Sequence, residues 1–168
     1  MNDAQVCIRT ATPRDAEGLR TMFARSSAET IYLRFHIPYP EVPEWMVALM
    51  LDTDHQEKEA LVIVARGRIV GHAMYVRLGD GTEAEMAIIV EDSWQSKGVG
   101  KSLLSKLAQR ARLQGIETFT AEVLEPNRPM LALAAMFAGT GYSMKGDVCH
   151  IRVPLRMASE VRTLRHAA

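Results

Sequence analysis

Gln95-Ser96-Lys97-Gly98-Val99-Gly100 stands between an apolar run and a segment with helical spacing. The run before it, Ala87-Ile88-Ile89-Val90, reads as a strand. The segment after it, Lys101 to Ala108, sets Leu103, Leu104, Leu107 and Ala108 on one helical face. A glycine-bearing turn that opens a helix presents free backbone N–H groups and the positive end of the helix dipole. Such a place suits a phosphate or pyrophosphate.

Two well-known phosphate loops fail on spacing. A P-loop needs a Gly five positions before its Gly-Lys-Ser/Thr ending. Gly100-Lys101-Ser102 supplies the ending, but the earlier position is Gln95. A dinucleotide-binding turn needs Gly-x-Gly-x-x-Gly after a parallel first strand. Gly98-Val99-Gly100 is followed by Leu103 where the third Gly belongs, and the strands upstream read as an antiparallel meander.

Working outward, residues 60–65 read as a strand, Arg66-Gly67-Arg68 as a turn, and residues 69–78 as the hairpin partner. Gly79-Asp80-Gly81 is a second turn, and a strand over 82–90 follows. Upstream, residues 5–9 read as a first strand. Thr12-Pro13-Arg14-Asp15 signals a helix start, and Ser27 caps a second helix. Pro43 opens a third, with Trp45, Met46, Leu49 and Met50 expected inward and the polar stretch 52–59 expected exposed. Downstream, a helix over 101–114 ends near Gly115, and a strand over 116–123 follows. Pro126-Asn127-Arg128-Pro129 then opens a helix that Gly139 or Gly141 should end, before a last strand at 146–153. The order implies an α+β fold, with a mixed, mostly antiparallel sheet flanked by helices. Residues 1–156 are expected to form one domain and 157–168 a polar tail.

The chain has 168 residues, 48% of them hydrophobic and 24% charged, which suits one globular core. Lys plus Arg equals Asp plus Glu at 20 each, which argues against a broad nucleic-acid-binding surface. Neither a signal peptide nor an apolar stretch of membrane-spanning length is visible, so a cytoplasmic protein with no membrane partner is expected. Cys7 and Cys149 lie in apolar runs and read as buried, reduced thiols. His150 beside Cys149 makes no metal-ligand cluster, and no metal is expected.

Gln95-x-x-Gly98-x-Gly100 resembles the acetyl-CoA loop of the GNAT acetyltransferase superfamily. The flanking residues extend the likeness. Ile88-Ile89-Val90 is followed by the acidic turn Glu91-Asp92-Ser93, then Trp94 and Gln95. A helix, a strand and an Asn-led helix at Asn127 come after, in the family's order. The resemblance implies a GNAT-like fold and an acetyl-CoA cosubstrate. It implies that the backbone of Ile88, Ile89 and Val90 pairs with the pantetheine arm. It implies that Gln95, Ser96, Lys97, Gly98, Val99, Gly100 and Lys101 surround the pyrophosphate, and that Asn127 hydrogen-bonds the cofactor arm.

Acetylating an amine needs a neutral nucleophile, so a general base is sought. Glu83 and Glu85 are two residues apart on one strand and share a face. Two neighbouring carboxylates favour a raised pKa in one of them. Ala84-Glu85-Met86-Ala87 resembles the corresponding segment of bacterial Pat-type protein lysine acetyltransferases, which implies Glu85 as the base. Glu83 then belongs to the substrate rim. His72, on the neighbouring strand, is placed within reach of the acceptor, although a structural, hydrogen-bonded role suits it better. Residues 27–35 also resemble the Pat-type enzymes, which puts Tyr32 and His36 near the acceptor wall.

The chain departs from the family in two places. Phe137 occupies the position where many members carry a Tyr acid, and Tyr142 matches a packing aromatic. The interval from Asn127 to Gly141 is longer than the family commonly has. The resemblance implies direct acetyl transfer to an amine, with a protein lysine as preferred acceptor. The alternatives are a small amine or amino acid as acceptor, or a non-catalytic acyl-CoA sensor. Oligomeric state is not legible.

Overall fold

Apolar alternation and three tight turns build the sheet first. The computed structural model describes residues 6–155; the expected tail at 157–168 lies outside them. Strands β1 (Val6–Thr10), β2 (Lys58–Ala65), β3 (Arg68–Arg77) and β4 (Glu83–Val90) form an antiparallel meander. Arg66 and Gly67, both at positive φ, form the two-residue turn between β2 and β3, the kind that matches the twist of a hairpin. Helix α4 (Val99–Leu113) then crosses over and returns as β5 (Thr118–Leu124), parallel to β4. Helix α5 (Arg128–Ala134), β6 (Gly141–Lys145) and β7 (Val148–Pro154) complete a seven-stranded sheet. Its spatial order is β1-β2-β3-β4-β5-β7-β6.

Helices cover both faces. Leu103, Leu104, Leu107 and Ala111 of α4 are fully buried against Leu61, Tyr75, Met86, Phe119 and Ile151. On the other face, α1 (Ala16–Arg25), α2 (Ala28–Phe35) and α3 (Glu44–Leu51) bury Leu19, Met22, Ile31, Val47 and Met50 over Val62 and Ile89. A fully buried Leu or Ile contributes roughly 1.5–3 kcal/mol. The two layers therefore hold β4, the central strand, from both sides.

Several expectations need correction. The last helix stops at Ala134, and the glycines beyond it belong to the turn into β6, a strand not expected. Gly146, at φ +65, is the β6–β7 turn rather than a strand residue. Tyr142 lies on β6 and is half exposed, not packed in the core. In α3 the inward residues are Val47, Met50 and Leu51, while Trp45 and Leu49 face out. Glu59, in the stretch expected to be exposed, is buried, ion-paired to Arg110 and hydrogen-bonded to His55. Cys149 is buried as expected; Cys7 is exposed on the edge strand. No described helix is long and apolar enough to cross a membrane.

Candidate active site

β4 pairs with β3 along its length, from Arg77↔Ala84 to Gly71↔Val90. Its other edge pairs with β5 only at Glu83↔Thr118, Ala84↔Phe119 and Glu85↔Thr120. Beyond that point β5 stays with β7, up to Leu124↔Val148, and β4 goes its own way. The main chain of residues 86–90 is left with an open edge. A cleft of about 520 Å³ lies there. Ile88, Ile89 and Val90 form one wall, Asn127, Met130, Leu133 and Met136 the opposite one. Gln95, Ser96, Gly98, Gly100 and Lys101 close one end, and Glu29, Thr30, Leu33 and Arg34 of α2 line it as well.

The glycine loop is shaped by backbone conformation. Ser96 (φ +56) and Gly98 (φ +80) are both left-handed, a state Gly adopts without Cβ strain. The first backbone bond at the start of α4 runs from Ser102 N–H to Gly98 C=O at 3.0 Å. The N–H groups of Val99, Gly100 and Lys101 therefore precede the hydrogen-bonded ladder and stay available to an anion. A Cβ on Gly98 would meet nothing within 4 Å, so that position needs Gly for its φ. At Gly100 a Cβ would stand 3.5 Å from Leu133 Cδ2 and 3.9 Å from Val90 Cγ2, in the gap between the two walls.

Side chains brace the loop from outside. Gln95 Nε2 donates to Val90 C=O at 3.0 Å and to Thr30 Oγ1 at 3.1 Å. Lys97 Nζ donates to Ser93 C=O at 2.8 Å and stands over the Trp94 ring. Both residues thus shape the turn, and Lys101 is the lysine that lines the cleft. Val99 packs its side chain into the core and offers only its N–H. Asn127 caps α5, its Oδ1 accepting from Met130 N–H at 3.2 Å, and it lines the cleft.

Sequence reasoning missed how α2 is attached. Asp92 accepts from Ser27 N–H at 2.8 Å, Ser27 Oγ at 2.7 Å and Thr30 Oγ1 at 3.0 Å. Burial alone would raise its pKa, but these bonds from Ser27 and Thr30 hold it below the usual carboxylate range. Arg34 was missed as well. Its Nη2 reaches Met74 Sδ at 3.9 Å, its guanidinium stacks over Phe35, and its buried Nε has no partner. Burial pushes it down to about 10, and the carboxylate acting against that fall is Glu85.

Glu85 is exposed on β4, next to the point where β4 and β5 part. Glu83 does not become the raised member of a carboxylate pair. Arg152 grips it with two bonds, at 2.9 and 2.5 Å, and lowers its pKa. His72 is not a substrate residue in this geometry: it is fully buried, and its Nε2 donates to Met50 C=O at 3.2 Å. Tyr32 and His36 lie on α2 and at its end, but the cleft is lined by their neighbours Leu33 and Arg34. Phe137 falls in the turn beyond α5 and packs on the core. Among the described residues the hydroxyl groups lining the cleft are those of Thr30 and Ser96, and no Tyr or Cys joins them. No described group of three His, Cys, Asp or Glu residues could hold a metal ion.

Known proteins resemble this chain in sequence and fold. The model of the acetyltransferase (GNAT) family matches residues 22–139. Acetyltransferase Pat of Mycolicibacterium smegmatis is 29% identical over 126 residues, 73% of this chain and 38% of that protein. The chain thus spans well under half of that relative's length. The GNAT domain of S. lividans PAT superposes with a TM-score of 0.81 at 30% identity, covering 88% of this chain and 89% of that one. A putative acetyltransferase from Salmonella typhimurium, solved with its cofactor acetyl-CoA, shares the fold at 20% identity and a TM-score of 0.71, over 92% and 96% of the two chains. A parted β4–β5 pair, a left-handed glycine turn beneath it and the match over residues 22–139 agree: the chain belongs to the GNAT acetyltransferase family.

Proposed function

We propose that the protein is an acetyl-CoA-dependent N-acetyltransferase whose acceptor is the side-chain amine of a protein lysine. One observation carries the reading: the open edge of β4 and the free N–H groups at the start of α4 line the same cleft. An extended pantetheine arm would complete the strand's hydrogen bonds by β-augmentation. The pyrophosphate would fall on the N–H groups of Val99, Gly100 and Lys101, with Lys101 adding charge. When bound, acetyl-CoA supplies an activated acyl carbon and a thiolate leaving group.

This chain's residues then have separate tasks. Glu85 takes the proton of the incoming ammonium, so that the amine nitrogen is free to form the new C–N bond as the C–S bond breaks. Main-chain N–H on the open edge of residues 86–90 is placed to polarise the thioester carbonyl. Solvent supplies the thiol proton, because no Tyr or Cys lines the cleft among the described residues. Pat-type likeness over most of the chain favours the lysine acceptor. The same lack of a side-chain acid favours a second reading, an acyl-CoA sensor that does not turn over.

Incubation of candidate proteins with enzyme and acetyl-CoA, read by mass spectrometry, tests the acceptor: site-specific lysine acetylation is expected. Thiol release with small amines alone would replace the lysine with a small-molecule acceptor. Tight CoA binding with no thiol release from any amine would establish the sensor.

A further inference from the structure

Arg34 is an unusual member of the cleft wall. A guanidinium carries five N–H donors, and among the described residues this one has a single weak acceptor, Met74 Sδ at 3.9 Å. Its Nε is buried without a partner, and it stands over the Phe35 ring, 4.8 Å from the ring centre. Arg25, Arg110 and Arg112, also half-buried, are bonded to Glu91, Glu59 and Leu155 C=O. The place of the Arg34 head along the cleft follows from α2 and the sheet register. Thr30 of α2 bonds to Asp92 and Gln95, beside the glycine loop. Arg34 lies about 6 Å further along the helix axis. Its contact Met74 is directly opposite Ala87, whereas Gln95 braces the loop end of the strand at Val90 C=O. The phosphate end of the cleft and its Arg34 end are therefore separate. A cofactor arm running from the loop past Val90 and Ile89 to Ile88 delivers its acyl group toward Arg34.

We propose that Arg34 takes the distal carboxylate of a short dicarboxylic acyl-CoA, so that the protein transfers groups of the succinyl class as well as acetyl. The inference rests on an acyl-CoA lying in this cleft, as in the proposed function. An acetyl group ends in a methyl and leaves the Arg34 donors unmet, and a buried donor without a partner is costly. A terminal carboxylate offers two oxygens to a guanidinium, in the paired geometry that arginine favours. Among the described residues the other cation lining the cleft is Lys101, at the loop end, where the phosphates fall. The bond changes are those of acetyl transfer. The lysine ammonium gives one proton to the base, and its nitrogen bonds to the thioester carbon as the C–S bond breaks. The new amide sheds its surplus proton, and the CoA thiolate takes one up from solvent. The distal carboxylate is not consumed; it leaves on the product, where a lysine cation has become an anion.

The first arm of the test needs no acceptor. Calorimetry compares two stable thioethers, 3-carboxypropyl-CoA and butyl-CoA, which share a four-carbon chain and differ in its terminal carboxylate. Wild type should bind the anionic one about tenfold more tightly. Arg34→Met should abolish that preference, and Arg34→Lys should keep part of it, each with its fold checked by circular dichroism. Equal binding of the two thioethers by wild type overturns the inference, and that comparison needs no variant to fold. A preference that survives in folded Arg34→Met overturns it too. The second arm incubates a lysine peptide, blocked at its N-terminus, with succinyl-CoA, butyryl-CoA or acetyl-CoA, and subtracts the enzyme-free rate. Mass spectrometry should show succinylation faster than butyrylation. A peptide that is acetylated but not succinylated overturns the inference and leaves the lysine acceptor in place. A tenfold binding preference with no acyl transfer to lysine from any donor removes that acceptor and keeps the carboxylate site.

Discussion

Glu85 and Gly98 show two ways in which one residue can matter. Glu85→Gln keeps size and hydrogen-bonding atoms but removes the basic site. A fall of about 10²–10⁴-fold in kcat/KM is expected, with folding intact by circular dichroism. Gly98→Ala forces a Cβ into a left-handed conformation, at a cost of roughly 1–2 kcal/mol. Thermal denaturation should show that loss, and isothermal calorimetry a weaker CoA, because the N–H groups after Gly98 would shift. The placement of both residues was legible in the chain: Gly98 sits in the turn that opens α4, and Glu85 lies exposed on β4. Arg34 was not. A lone arginine on an amphipathic helix reads as solvated, and its burial depends on Met74, forty positions away. His72 takes the structural, hydrogen-bonded role that suited it better, but its partner, Met50 C=O of α3, was not legible, because that helix packs from outside the sheet.

At the scale of elements, the cofactor loop and the α2 wall are one unit. Asp92 ties the start of α2 to the turn after β4, and Gln95 bonds to both Thr30 and Val90. Asp92→Ala removes three acceptor contacts to one carboxylate. A loss of about 1–2 kcal/mol by urea denaturation is expected, with KM for the acceptor rising more than KM for acetyl-CoA. The Asp92 pKa is depressed in the folded state, so its contribution is present above the ordinary carboxylate pKa and is lost as pH falls through the folded value. The stability difference between wild type and Asp92→Ala should therefore shrink in strong acid. The meander, α4 and β5 were readable because period and turn chemistry agreed. β6 was not: all five of its residues are exposed, so it carries no inward-facing apolar pattern. The Lys145-Gly146-Asp147 turn, between Tyr142-Ser143-Met144 and Val148-Cys149, was the signal that could have revealed it.

Across the whole molecule, His72 couples folding to pH. Burial pushes it down to about 3, so the native state keeps it neutral while the unfolded chain binds a proton near its ordinary 6.5. Between those values the unfolded state holds more protons, and stability must fall as pH falls. Denaturant titrations should lose up to about 1.4 kcal/mol per pH unit from this group, a slope that His72→Gln should remove even while lowering stability overall.

The three-pair contact between β4 and β5 has a mechanical consequence. It divides the sheet into two blades, β1–β4 and β5–β7, joined by a short hydrogen-bonded seam and by the buried core that residues of both blades share. A ligand lying in the gap would act as a keystone between the blades. Deuterium uptake at the free edge of β4 and across β5 should slow sharply when CoA is added. At a hundredfold excess over its Kd, CoA should add about 2.7 kcal/mol to global stability.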